Sequence, residues 1–173
     1  VLGVKDKSNP SVTATTPLDG APGREAARRT LPLLSSRYEL TETQVKHLFS
    51  RYGSETADVL ALLDEDETLA LPLERAADYL RAEAVFAVRN EGALHLDFAQ
   101  LDRGKAAAPE IAEIMATELG WDQATTEREV ANWAKQADAI LAAQQTTTDG
   151  EASAIRVQAE EIVPVERLSA LEG

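Results

Sequence analysis

Residues 41–53 read TETQVKHLFSRYG, and this stretch decides the fold class. Thr41 can cap the start of a helix, and Gln44 can reach back to it in a capping box. Four apolar residues then recur at i, i+3, i+4 and i+7, on one face of an α-helix: Val45, Leu48, Phe49 and Tyr52. Gly53 allows the left-handed turn that commonly ends such a helix. The stretch therefore predicts an amphipathic helix over residues 41–52.

Helical periods extend from this segment in both directions along the chain. In our interpretation Pro32 breaks the helix before it, Ser54 caps the one after it, and Thr126 with Glu129 opens the longest. The predicted fold class is all-α, a helical bundle of about five to six helices with flexible N- and C-terminal extensions. Five further helices are predicted over residues 25–34, 54–63, 73–90, 107–119 and 125–145, and the C-terminal extension has room for one short helix near residues 151–160.

The two ends of the chain differ in composition from its middle. Residues 1–23 contain Ser, Thr, Asn, Asp, Pro and Gly with few large apolar side chains, which is typical of a flexible linker. Residues 146–173 carry six acidic residues against two Arg. We therefore expect a linker over residues 1–23, a helical domain over 24–145 and an acidic, loosely ordered tail over 146–173.

Composition excludes several classes of function. The 173 residues include 17 Lys and Arg against 30 Asp and Glu, a net charge of −13 that opposes nonspecific binding to nucleic acid. The absence of Cys excludes disulfides, thiolate metal sites and cysteine nucleophiles. No two of the nine Gly are separated by a single residue, which excludes a G-x-G-x-x-G dinucleotide loop. A chain without Cys makes a reducing cytoplasm the simpler expectation for its compartment. No apolar run reaches the roughly 20 residues that span a bilayer, so we also expect no membrane span.

Glu83 is the most informative polar residue. It follows Tyr79 at i+4 and precedes Phe86 at i+3, which places its carboxylate on an aromatic helical face. A carboxylate buried there needs a cation, and the guanidinium of Arg51 can supply one. The hypothesis is a buried structural ion pair between Arg51 and Glu83. The alternative, that Glu83 points to solvent beside other Arg residues of its own helix, stays open.

No set of residues in the sequence has the pattern of a complete active site. His47 and His95 lie 48 residues apart without a metal-ligand pattern, so ordinary half-exposed histidines are favoured over ligands or general bases. The acidic run at residues 64–67 favours a solvated helix end over a divalent-cation site. Trp121 and Trp133 are interpreted as core anchors rather than as a docking surface.

Several motifs occur in the order of a known family. The chain carries HLFSRYGS at 47–54, YLRAEAVFAVRNEGALHLD at 79–97, DRG at 102–104 and LGWD at 119–122. Over about residues 40–135 they resemble the C-terminal domain of FAD-dependent, quinone-linked glycerol-3-phosphate dehydrogenase of the actinobacterial type. The positions that match the family motifs are Tyr52, Gly53, Tyr79, Glu91, Asp97, Arg103, Gly104 and Trp121.

The resemblance implies an all-helical domain that caps a larger flavin domain. The complete enzyme of this family oxidises glycerol 3-phosphate to dihydroxyacetone phosphate and passes electrons through FAD to a quinone. FAD and substrate bind in the flavin domain, so the resemblance implies no catalytic, cofactor-binding or metal residue in this chain. The implied partner is the flavin domain, a homo-oligomer is allowed, and the complete enzyme is expected in the cytoplasm, peripheral on the inner face of the cell membrane.

Two departures from the family keep alternatives open. Asn90 stands where the family usually has His, and only residues 98–101 separate Asp97 from DRG, where members carry a basic stretch that helps the cap meet the flavin domain. The shortened segment favours a second hypothesis, a free-standing helical protein-interaction module. A small independent enzyme is the third, and the lack of a clustered nucleophile, base or metal set argues against it.

Overall fold

The computed structural model describes residues 20–93 and 104–158, and it confirms the all-α class. The chain divides into two compact units, Val1–Glu65 and Asp66–Gly173. The described part of the first unit holds three α-helices, and that of the second holds a two-stranded hairpin and four α-helices. Their bounds are α1 Arg24–Arg37, α2 Glu42–Tyr52, α3 Thr56–Ala61, β1 Pro72–Leu73, β2 Ala76–Leu80, α4 Arg81–Arg89, α5 Ala108–Leu119, α6 Gln123–Gln144 and α7 Asp149–Gln158.

Helix α2 forms as the sequence predicts. The Gln44 N–H donates to Thr41 Oγ1 at 3.3 Å, and the Thr41 N–H donates to Gln44 Oε1 at 2.9 Å, which completes the capping box. Val45, Leu48 and Tyr52 are buried along the predicted apolar stripe. The helix therefore satisfies its first N–H groups locally and buries one face in the first unit.

Two predictions around α2 are wrong. Helix α1 continues through Pro32 to Arg37, because a proline removes only one hydrogen bond, to the carbonyl four residues back, and this ring lies on an exposed face. Ser54 does not cap the next helix, since it lies inside a 3₁₀ turn, Gly53–Glu55, that precedes α3. A second 3₁₀ turn, Leu62–Asp64, ends that segment.

The predicted helix over residues 73–90 is wrong in its first half. β1 pairs antiparallel with β2 as a hairpin, and only α4 is helical in that range. The hairpin buries Leu73, Ala76 and Tyr79 in the core of the second unit. Tertiary burial thus overrides the helical preference of an Ala-rich stretch.

One described hydrophobic core cluster of the second unit is formed by residues of the hairpin, of α5 with the residue before it, and of α6. Trp133 is buried in it and Trp121 packs against it, so both act as core anchors, as predicted. The buried members of the cluster are Leu73, Ala76, Tyr79, Ala107, Ala108, Ile111, Ala112, Met115, Trp133 and Ala137.

The helices of the second unit end and begin at identifiable residues. α5 stops at Gly120, whose φ of 67° and ψ of 32° are left-handed, as predicted. α6 begins two residues earlier than predicted because Asp122, rather than Thr126, caps it by accepting the Thr125 N–H. Hydrogen bonds from the side chain of Thr125 and from its N–H together lower the pKa of Asp122. α7 packs on α6 close to the predicted position, with Ala152 buried.

Candidate functional site

The predicted site residues are distributed between the two units. Arg51, Tyr52 and Gly53 lie in the first unit, at the end of α2. The second unit holds the others, and of these Asp97 and Arg103, like His95, fall outside the described residues. The positions described there are Tyr79, Glu83, Glu91, Gly104 and Trp121.

Tyr52 and Gly53 form a close backbone contact with Gly20, within the stretch expected to be linker. The Ser54 N–H donates to the carbonyl of Gly20 at 2.9 Å, and Gly20 and Gly53 are both buried. Both have positive φ, 73° and 58°. A Cβ on Gly20 would clash with the carbonyl oxygen of Tyr52, and one on Gly53 would clash with that of Gly20. The contact therefore requires glycine on both sides.

Two arginines stack on aromatic rings beside this glycine contact. The Arg24 guanidinium lies 4.7 Å from the centroid of Phe49, and that of Arg51 lies 5.5 Å from the centroid of Tyr52. Arg24 begins α1 and Phe49 belongs to α2, so the first stack ties the start of α1 to α2. Arg51 is exposed to solvent.

Glu83 is buried, with 5% of its surface exposed, so the alternative that it points to solvent is wrong. Glu83 is the third residue of α4, and its Oε1 accepts a hydrogen bond from the N–H of Leu80 at 2.9 Å. The side chain therefore folds back on the start of its own helix, which is half of a capping box. Arg51 lies in the other unit, and the ion pair between the two residues stays a prediction.

Glu110, which sequence reasoning missed, joins three elements of the second unit. Its Oε1 accepts from Arg81 Nε at 3.0 Å and lies 2.9 Å from Arg81 Nη2. Its Oε2 accepts the N–H of Glu74, in the hairpin turn, at 2.7 Å. One carboxylate of α5 thus holds both the hairpin turn and the first residue of α4. The role of Glu110 depends on Glu74 and Arg81, which lie 36 and 29 positions earlier in the chain, and no spacing rule connects residues so far apart.

A second carboxylate of α5 binds the other end of α4. Glu118 accepts from Arg89 Nε at 2.7 Å and from Arg89 Nη2 at 3.0 Å, a bidentate pair. Together with Glu110 it aligns α5 along α4. Among the described residues of this unit, Glu110 and Glu118 therefore have a structural role, since they join α5 to the hairpin turn and to α4.

The acidic run at residues 64–67 is exposed, and two of its carboxylates accept hydrogen bonds. Asp64 Oδ2 accepts a hydrogen bond from Arg37 at 2.7 Å and another from the Tyr38 hydroxyl at 3.2 Å. The pKa of Tyr38 is raised, mainly because the hydroxyl is partly buried and secondly because it donates to Asp64. Asp66 Oδ1 accepts from the hydroxyl and the N–H of Thr68, which lowers the pKa of Asp66. Across residues 20–93 and 104–158, no group of three or more His, Asp and Glu has the arrangement of a metal site.

The remaining family positions of the second unit have structural surroundings. Gly104 has a φ of 68°, and its carbonyl accepts the N–H groups of Ala107 and Ala108 at 3.0 and 2.9 Å, in the turn that leads into α5. Tyr79 belongs to the core cluster, Trp121 packs against it and Glu91 is exposed. His47 is half-buried, as expected. No described helix combines the length and the apolar character that a membrane crossing needs.

Comparisons with known proteins agree with one another. A family model described as the C-terminal domain of alpha-glycerophosphate oxidase matches residues 11–126. Glycerol-3-phosphate dehydrogenase 2 of Mycobacterium tuberculosis and that of Mycobacterium bovis are each 36% identical over 162 residues, and glycerol-3-phosphate dehydrogenase of Mycobacterium leprae is 35% identical. Each alignment covers 88% of this chain and 28% of the relative, so the chain spans little more than a quarter of the length of these curated relatives. No solved structure matches the chain.

Proposed function

The chain belongs to the family of the C-terminal domain of alpha-glycerophosphate oxidase, and from this premise we propose that it is the helical cap of an FAD-dependent glycerol-3-phosphate dehydrogenase. The complete enzyme would oxidise glycerol 3-phosphate to dihydroxyacetone phosphate and pass the electrons to a quinone. The observation that carries the proposal is the 36% identity over 88% of this chain to proteins that bear the dehydrogenase name.

The proposal assigns FAD to the part of the enzyme outside this chain. The residues present do not fit a dinucleotide site, because no two Gly are spaced as G-x-G. The described glycines with positive φ stand singly at helix ends and turns. This chain would therefore contribute packing and shape. Its carboxylates, such as Glu110 and Glu118, hold its own helices together.

The domain boundaries and the location are part of the proposal. We assign the helical domain to residues 24–145, the linker to 1–23 and the acidic tail to 146–173. The Gly20 contact with Gly53 supports placing the last residues of the linker on the helical domain. The partner would be the catalytic domain of the same enzyme, working in the cytoplasm or at the inner face of the membrane, and a homo-oligomer of the complete enzyme stays allowed.

A chimera tests the proposal. This chain replaces the matched segment of glycerol-3-phosphate dehydrogenase 2 of Mycobacterium tuberculosis, and the control is the same enzyme truncated before that segment. We expect the chimera to bind FAD and to reduce a quinone analogue with glycerol 3-phosphate faster than the truncated control. A chimera that retains flavin but reacts no faster than the control would contradict the proposal and favour the free-standing interaction module.

A further inference from the structure

Helix α1 has an unusual surface for a helix in a folded unit. None of its 14 residues is buried, whereas α2 buries three of 11. Leu33, in its middle, is 70% exposed, more than Leu71, at 50%, which is the other exposed large hydrophobic residue within residues 20–93 and 104–155. A leucine exposed to this degree in the middle of a helix is available to a partner, although a single exposed residue would not by itself require one.

The charge of α1 is opposite to that of the chain. It contains four Arg and one Glu, a net charge of +3, while the whole chain carries −13, so the remaining residues sum to −16. Two of these arginines have partners in the first unit, because Arg24 stacks on Phe49 and Arg37 pairs with Asp64 at 2.7 Å. Arg28 and Arg29 are exposed, and Arg29 makes only a long, exposed contact of 3.9 Å with Glu25 among the described residues.

These exposed residues share one side of the helix. Arg29 precedes Leu33 by four residues and Arg28 precedes Pro32 by four, so the two rows run side by side. Pro32 has no N–H, and the carbonyl of Arg28 therefore does not receive the usual helical hydrogen bond. We call Arg28, Arg29, Pro32 and Leu33 the outer face of α1. It offers one apolar anchor, two cations and a backbone acceptor.

We propose that the outer face of α1 docks on the catalytic part of the enzyme, which would present an apolar seat rimmed with carboxylates. The inference rests on the proposed function, because the relatives continue for 72% of their length beyond the region matched here. The glycine contact supports this occupant. It fixes Gly20, four residues before α1, so a polypeptide entering there is held at a high effective concentration beside that helix.

Two other occupants fit the outer face less well. An amphipathic helix that lies on a lipid surface buries a row of large apolar side chains, and Leu33 is the single exposed large hydrophobic residue described in α1. The acidic remainder of the chain would also be repelled by anionic lipid. A second copy of the chain would have to bring together two outer faces of the same charge in a two-fold symmetric contact.

The test uses the chimera and the isolated 173-residue chain, and it compares Leu33→Glu with Leu71→Glu, the matched exposed leucine of the other unit. In the chimera we expect amide exchange over residues 28–36 to be at least about tenfold slower than in the isolated chain. Leu33→Glu should abolish this protection and lower the activity of the chimera, and Leu71→Glu should change neither. Both variants should keep the melting temperature of the isolated chain, because both side chains are exposed.

The outcomes separate the two proposals. A chimera no more active than the truncated enzyme overturns the proposed function and this inference with it. An active chimera with unchanged exchange in α1, or with equal effects of the two variants, overturns the docking surface alone. If sedimentation shows that the isolated chain forms a dimer and that Leu33→Glu dissociates it, the docking proposal is overturned in favour of a second copy of the chain. Binding to phosphatidylglycerol vesicles that Leu33→Glu removes would overturn it in favour of lipid.

Discussion

Gly20 and Gly23 form a natural matched pair at the scale of single residues. Their φ angles are 73° and 74°, but a Cβ at Gly20 would clash with the carbonyl of Tyr52, while nothing lies within 4 Å of one at Gly23. Gly23→Ala should therefore cost only the left-handed backbone penalty, about 1–2 kcal/mol. Gly20→Ala adds the clash and should lower the free energy of unfolding by clearly more, as measured by urea denaturation. Equal losses for the two variants would mean that the glycine contact does not form.

The ion pair predicted between Arg51 and Glu83 can be tested by a double-mutant cycle. Glu83→Gln keeps an acceptor for the N–H of Leu80 but removes the charge, and Arg51→Ala removes the cation. If the pair forms, we expect a coupling free energy of about 1 kcal/mol or more from thermal or urea unfolding. Arg28→Ala combined with Glu83→Gln is the control and should be additive. Additivity in both cycles would refute the pair.

Local signals were readable in the sequence, and long-range ones were not. The Thr41 capping box is specified by two residues three apart, so sequence reasoning found it. Half of this motif recurs at Leu80 and Glu83, and no sequence signal marks it because Leu80 is apolar and bonds only through its backbone N–H. The role of Gly20 depends on Gly53, 33 positions later, and no spacing rule connects two such residues.

At the scale of elements, the hairpin β1–β2 shows why one helix was wrongly predicted. Residues 76–88 are rich in Ala, and the hairpin turn at Glu74 and Arg75 contains no Gly, Pro or Asn. A continuous helix is therefore favoured by the sequence, because no typical turn residue interrupts the stretch and its many Ala residues are good helix formers. The hairpin is instead supported by residues outside it, since its turn is held by Glu110 of α5 and its apolar side chains enter the core cluster.

This support makes Glu110 the residue on which the hairpin and α4 should depend. Glu110→Ala leaves the Glu74 N–H and the Arg81 guanidinium without this acceptor, so we expect a loss of about 1–3 kcal/mol in the free energy of unfolding. Glu113→Ala is the control, because Glu113 lies on the exposed side of the same helix and should change stability by less than about 0.5 kcal/mol. Glu110→Gln should fall between them, since an amide oxygen still accepts one hydrogen bond. Similar losses for the two alanine variants would show that the Glu110 network does not hold the hairpin.

At the scale of the whole molecule, the site was less predictable than the fold. The family motifs pointed to Tyr52, Gly53, Tyr79 and Trp121, and the structure places these in a backbone contact and in a core. The net charge of −13 is a sum over the whole chain, and it conceals the net charge of +3 that α1 carries. Composition summed over a chain hides the local charge that a partner would meet.

The second unit should fold without the first. All ten buried members of its core cluster, from Leu73 to Ala137, lie within Asp66–Gly173, and the carboxylates that join its helices lie there too. We therefore expect a fragment of residues 66–173 to unfold in one cooperative transition. Met115→Ala tests whether the fragment forms the same core as the full chain. The Met115 side chain is 3% exposed, so its truncation should lower the free energy of unfolding by about 2–5 kcal/mol. The loss measured by urea unfolding should agree within about 0.5 kcal/mol between the fragment and the full chain. A fragment that melts without cooperativity, or that is insensitive to Met115→Ala, would show that this core needs the first unit to form.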